Sequence, residues 1–174
     1  MREIRLPLSC TRPRIMLALG LLCIAAGCGS ARHAPSSDVD CMARAIYFES
    51  HRSSRDGMIA VGSVVMNRVQ SPAFPNTICG VVSQKGQFAP GVMTKQMGSR
   101  STPAVMAAAQ SVIRGERHPQ IANAQFFHAE WYQASFNNIH YVVTTGGNAF
   151  YEKRRPEAVT ARRPLPATEG LTRR

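Results

Sequence analysis

Carboxylates are scarce in this chain. Its 174 residues hold ten Asp and Glu against 21 Lys and Arg, a formal net charge of +11. Between Cys41 and Tyr151 only Glu49, Asp56, Glu116 and Glu130 are acidic. Several reaction signatures are absent as well. There is no pair of histidines at i, i+4, no Cys-x-x-Cys and no Gly-x-Ser-x-Gly. The zinc helix, the thiolate metal site and the serine nucleophile elbow therefore have no basis, and no metal or other cofactor is expected. His128 and Glu130 in "HAE" lack the second histidine a zinc helix needs. No internal repeat is present. Long apolar runs are missing too: "IMLALGLLCIAAG" (Ile15 to Gly27) is shorter than the roughly 18–20 residues of a spanning helix.

That run has a different meaning. A basic "MREIRLPLSCTRPR" precedes it and "AAGC" (Ala25 to Cys28) ends it, which is the layout of an export signal. A cysteine straight after Ala-Ala-Gly resembles a bacterial lipobox, with Cys28 as the lipidated first residue. An ordinary signal peptide cut near Gly27 is the alternative. Residues 1–27 are read as the signal and 28–37 as a polar tether. Gly29 after the lipidated cysteine resembles the sorting type of outer-membrane lipoproteins. The expected location is thus the cell envelope, on the periplasmic side, with a membrane contact through the lipid. Removing residues 1–27 takes away four arginines and one glutamate and leaves +8. Outside the cell such a charge suits anionic wall polymer or lipid rather than nucleic acid. Of the five cysteines, Cys41 and Cys79 remain, and an oxidising compartment favours a bridge between them over two buried thiols.

Local signals divide the rest. Ser37 and Asp40 have capping-box spacing, so a helix is expected from Asp38 to about His51. Ser53 and Asp56 repeat the spacing ahead of "GMIAVGSVVMNRV", a second helix that must stop before Ser71-Pro72. Residues 71–101 are rich in Gly, Pro and Ser and read as a long loop with one helical turn around Ile78 to Val82. Loops of that length are usually functional. Thr102-Pro103 opens another helix and Gly115 closes it. Then come β-prone "AQFFHA" and "HYVVTTGGNAFYE", the second with a Gly-Gly hairpin turn. The class is α+β, mainly helical with a small β-hairpin region, over residues 38–152. Residues 153–174 hold three prolines and no apolar periodicity, and are expected to be a flexible basic tail.

One acidic residue is oddly placed. On the first helix Met42, Ala45 and Ile46 form an apolar stripe, and Glu49 continues it in the last turn. Burial and the negative end of the helix dipole both disfavour its ionised form, as a general acid requires. A core glutamate paired with an arginine such as Arg68 accounts for the position equally well. Asp56 reads as a helix-start residue and Glu116 as solvated.

From "AIYFES" through "GMIAVGSVVMNRV" and "FPNTICGVV" to "GQF", with "FFHAEWY" and "GGNAFYE" later, the chain resembles the spore-cortex-lytic type of cell wall hydrolases, the SleB/CwlJ group. The resemblance runs from about Cys41 to Tyr151. It implies a fold related to lysozyme-like transglycosylases, cleavage of peptidoglycan glycan strands, and a catalytic role for Glu49. The implied reaction is lytic transglycosylation between MurNAc and GlcNAc by a monomer, because one carboxylate suffices there. A muramidase using Glu130 or Asp56 as a second carboxylate, or a non-catalytic peptidoglycan-binding lipoprotein, are the alternatives. Asn67, Gln87, His128 and Asn148 are candidates to hydrogen-bond hydroxyl or acetamido groups, and aromatics such as Phe88 and Tyr132 to stack on sugar rings. The chain departs from the group's pattern twice. Ala89-Pro90 follows Gln87-Phe88 where Ser-Trp is common, and Ser50 to Ser53 replace Ala-Arg-Gly-Glu.

Overall fold

The structure, a computed structural model, describes residues 37–50, 53–98 and 100–172. The export signal, Cys28 and the tether up to residue 36 lie outside the described residues.

Among the described residues four α-helices begin where side-chain oxygens cap them or proline permits. Helix α1 (Asp38–Ser50) starts as its capping spacing predicts, with Ser37 Oγ accepting from Asp40 N–H at 3.1 Å. Helix α2 (Arg55–Val69) is capped by Ser54, one residue later than expected, through a 3.1 Å bond from Gly57 N–H. Ser53 instead donates to the Ser50 carbonyl (2.8 Å) and ties the inter-helix connection. The short α3 (Ile78–Val82) lies where the helical turn was expected, capped by Thr77. Helix α4 (Thr102–Ile113) carries proline in its first turn.

The core lies where these helices meet. Met42, Ala45 and Ile46 of α1, Ile59, Val64 and Val65 of α2, and Val105 and Val112 of α4 are all fully buried. Gly62 permits the closest approach. A Cβ there would lie 2.7 Å from Val112 and 3.4 Å from Ile46, so glycine's cost of about 1 kcal/mol in a helix is offset by packing. A Cys41–Cys79 disulfide clips the first turn of α1 to α3.

Three antiparallel strands, β1 (Phe126–Ala129), β2 (Ile139–Thr145) and β3 (Asn148–Lys153), form a sheet of order β1-β3-β2. Strands β2 and β3 make the expected hairpin. Gly146 and Gly147 turn it with φ of 59° and 79°, the left-handed pair that a two-residue turn demands. A register shift between Tyr141 and Val143 re-aims β2. Val143 and Phe150 thus face the helical core, while Ile139, Tyr141 and Ala149 build a smaller cluster with Ala134, Tyr151 and Ala161.

The tail corrects the sequence expectation. Residues 153–172 are not a free arm. After a short 3₁₀ turn (Pro156–Ala158), Tyr141 N–H donates to Ala161 O (3.0 Å) and Thr168 N–H to Thr144 O (2.9 Å). Val159 is buried, and Leu171 and Thr172 end on the Asp56 carboxylate. Backbone bonds and one buried acceptor hold this segment, so no apolar periodicity was there to announce it.

Candidate active site

Glu49 sits in the last turn of α1, partly buried, where the helix meets the loop after α3. Its Oε1 accepts from Ala89 N–H at 2.7 Å. Burial raises its pKa above the ordinary 4.5, and the Ala89 bond and the charge of Arg68 pull back only part of the way. The proton of the acid form therefore belongs on Oε2, which has no hydrogen-bond partner among the described residues.

Arg68 is not an ion-pair partner within 4.0 Å. Among the described residues the ion pairs are Arg55–Glu116, His118–Asp56 and Arg154–Glu152. Arg68 is 3% exposed, donates from Nε to Gln125 O (2.7 Å), and lies 5.2 Å from the centroids of both Phe74 and Phe88. Burial pushes its pKa down to about 10, so it stays charged at neutral pH. It acts on Glu49 as a fixed positive field rather than as a salt bridge.

Two open recesses meet at Glu49. One, about 550 Å³, lies against Ser50, Ser53, Ser54 and the Gly146–Gly147 turn. The other, about 350 Å³, is lined by Arg68, Gln87, Phe88, His128 and Asn148. Four of the expected binding residues, Gln87, Phe88, His128 and Asn148, are thus brought together beside Glu49. Asn67 is not among them. Its amide donates to Ala122 O (3.1 Å) and Ala124 O (2.9 Å) and holds the loop ahead of β1, where Ala122 has a left-handed φ of 46°. Tyr132 stands just outside, its ring edge-on to His128 at 5.2 Å, beside Trp131, which is 80% exposed. His128 itself is saturated. Nδ1 lies 2.8 Å from Ala129 O, an acceptor only, so Nδ1 carries the proton and Nε2 accepts from Tyr141 Oη at 2.7 Å in the neutral ring. It offers a ligand its ring rather than the expected hydrogen bond.

The polar face of α1 builds one wall. Arg44 Nε donates to Val92 O at 2.7 Å, its Nη2 donates to Lys95 O, and Tyr47 Oη accepts from Gly98 N–H at 2.7 Å. With Glu49 these residues fasten the long loop to α1. Sequence reasoning missed Arg44 and Tyr47. Their signal was a polar face opposite the apolar stripe, followed by a loop with no core of its own. The other wall is the hairpin turn, packed so closely that a Cβ on Gly146 would lie 2.5 Å from Gly57 Cα. Gly146 N–H donates to Glu169 of the tail at 2.7 Å.

No second carboxylate among the described residues lines either recess. Asp56 is 2% exposed and accepts from Leu171 N–H (2.7 Å), Thr172 N–H (2.8 Å) and the Thr172 hydroxyl. Glu116 is held in a bidentate pair by Arg55 at 2.6 and 2.8 Å. Glu130 points to solvent.

A sequence model of the cell wall hydrolase family matches residues 52–151, beginning three residues after Glu49. The spore cortex-lytic enzyme of Bacillus cereus is 42% identical over 52 residues, 30% of this chain and 20% of that protein. That of Bacillus subtilis is 32% identical over 76 residues, 42% and 25% respectively. The match thus spans about a fifth to a quarter of the length of these curated relatives. The crystal structure of the catalytic domain of the Bacillus cereus SleB protein superposes with a TM-score of 0.56 at 26% identity, over 68% of this chain and 95% of that domain. The catalytic domain of the germination-specific lytic transglycosylase SleB from Bacillus anthracis gives 0.54 at 28%, over 68% and 96%. The mixed, mainly helical fold expected from the sequence is the fold of those domains. With the family pattern running unbroken from the start of α2 to β3, this chain belongs to the cell wall hydrolase family.

Proposed function

We propose that this protein cleaves peptidoglycan glycan strands between MurNAc and GlcNAc as a lytic transglycosylase, with Glu49 as its single acid and base. The observation that carries the reading is one carboxyl with a raised pKa in a groove lined by no other carboxylate among the described residues. Hydrolysis with retention or inversion needs a carboxylate pair roughly 5–9.5 Å apart, and Asp56, Glu116 and Glu130 are each directed elsewhere.

In the proposed reaction Glu49 gives its proton to the glycosidic oxygen as the C1–O bond breaks and positive charge develops on the muramyl ring. The resulting carboxylate, stabilised by the Ala89 N–H and the field of Arg68, takes the proton of the muramyl C6 hydroxyl. O6 then closes onto C1, which gives a 1,6-anhydro ring and restores the acid. No water is consumed. Gln87 and Asn148, whose side-chain amides have no partner among the described residues, supply hydrogen bonds for the sugar substituents. Tyr132 and Trp131 present exposed ring surface, while Phe88, buried beneath Arg68, backs the wall of the recess.

Attachment to the envelope through Cys28 completes the proposal and would hold the enzyme against its substrate. Purified protein incubated with wall sacculi is the test. Anhydro-muropeptides in the supernatant are expected, muropeptides with reducing ends would indicate a muramidase, and no release would indicate a binding protein.

A further inference from the structure

The tail reshapes the outer face of the sheet. Residues after 151 lie beyond the span matched by the family, yet Tyr141 N–H to Ala161 O seats them against β2. There Arg162, Arg163 and Pro164 close a recess with Gln133, Ala134 and Tyr141. Of the basic residues at the start of the tail, Lys153 and Arg154 are engaged and Arg155 is exposed. Lys153 lies 4.4 Å from the Phe126 ring centroid, and Arg154 pairs with Glu152 at 2.8 Å. Arg162 and Arg163 have no carboxylate within 4.0 Å among the described residues, and Arg162 reaches only Pro156 O at 3.5 Å. Two adjacent uncompensated guanidinium groups beside a glutamine amide are the chemistry of carboxylate capture.

The recess is coupled to the groove. Tyr141, part of its wall, hydrogen-bonds His128, and His128 lines the recess that holds Glu49. Tyr132 leans on the same imidazole, next in sequence to Gln133 of the basic recess. On a strand whose reacting bond lies at Glu49, units running past His128 and Tyr132 would head toward the arginines, because Tyr141 and Tyr132 join the two recesses. Resting on the reading of this chain as a peptidoglycan-cleaving enzyme, we propose that Arg162 and Arg163 bind a carboxylate of the peptide stem carried on the muramyl lactyl group. Peptide-bearing strands are then preferred over stripped ones.

The test uses the full chain with Glu49→Gln, so that strands bind without being cut. Its affinity is measured for soluble glycan strands of one length, either bearing their peptides or stripped of them by an amidase. Arg162→Ala with Arg163→Ala should weaken binding of peptide-bearing strands about tenfold and leave stripped strands unchanged. Replacement of both by lysine, which keeps the charge and loses the planar fork, should fall between. In the chain with Glu49 intact the same loss appears in KM with kcat unchanged. Equal weakening of both strands, or none, overturns the proposal. So does a double alanine variant that loses binding to anionic lipid vesicles but keeps its preference for peptide-bearing strands, because the arginines then serve a headgroup phosphate. If the unmodified chain cuts neither strand, the proposed activity fails while the binding preference still decides this assignment.

Discussion

Asp56→Asn tests the docked tail most sharply. The Asp56 carboxylate is 2% exposed and receives three hydrogen bonds from Leu171 and Thr172. Burial by itself would raise its pKa. The bonds from Thr172 and Leu171, helped by His118, outweigh burial and hold it below the ordinary 3.8. Asparagine keeps one oxygen and turns an NH₂ group toward an N–H donor, whichever way the amide lies. At least one hydrogen bond to a charged acceptor is lost, at about 1.5–3 kcal/mol, and the rest weaken to neutral strength. A total of about 2–4 kcal/mol follows, which for a domain of this size lowers Tm by roughly 7–14 °C. The sign with pH is fixed. A carboxyl whose pKa is depressed by folding stabilises the fold above its unfolded value and loses that contribution as pH falls through its folded value. The melting curves of the two proteins should therefore converge in acid, below the usual carboxylate range. Calorimetry across that range checks this, and amide exchange of residues 168–172 supplies an independent reading. If Asp56→Asn melts within about 1 °C of the parent and the Leu171 and Thr172 amides exchange like a free peptide, the tail is not part of the domain.

Other consequences can be measured separately. Breaking the Cys41–Cys79 bridge, which closes a 38-residue separation, should cost up to about 4 kcal/mol of stability, read by denaturant titration of Cys41→Ser with Cys79→Ser. Alkylation of envelope protein without reductant should leave both cysteines unmodified. Glycan cleavage should fall as pH rises through the elevated Glu49 pKa, because the proposed reaction needs its acid form. Arg68→Met, assayed well below its melting point, should lower kcat and move that alkaline limb to higher pH, since the field that favours the carboxylate is gone; an unmoved limb would refute the role given to Arg68. Glu49→Gln should lose at least roughly 10²-fold in cleavage. Its Tm at neutral pH should match or exceed the parent's, because a carboxyl with a raised folded pKa loses stability as pH rises through that value.

The helices were legible because their boundaries are local events. Ser37 and Asp40 and Pro103 act within one turn of themselves, and the discrepancy at the start of α2, Ser54 rather than Ser53, is a choice between adjacent serines. Glu49 was legible as an exception to its own apolar stripe. Its surroundings were legible only in part: Arg68 and Asn148 were named from the sequence, but the Ala89 N–H bond and the unpaired setting of Arg68 come from elements that only the fold brings together. Asn67 looked like a ligand-binding amide, yet its partners are the Ala122 and Ala124 carbonyls, and only the folded chain brings those within reach. The pairing of β1 with β3 rather than β2 is equally non-local. The tail was misread for a related reason. Proline content and missing periodicity describe a segment with no core of its own, and this one is ordered by hydrogen bonds to groups elsewhere: Asp56 and the Thr144 carbonyl accept from it, and Gly146 N–H donates to its Glu169.

The central claim is that one carboxyl does all the proton transfer and that the substrate supplies its own nucleophile. Digestion of sacculi in water enriched in heavy oxygen, followed by mass spectrometry of the released muropeptides, tests it most directly. The account predicts muramyl ends that carry no solvent oxygen and are lighter than reducing ends by one water. Labelled reducing ends would mean that water attacked C1, and would contradict a groove in which Glu49 works alone.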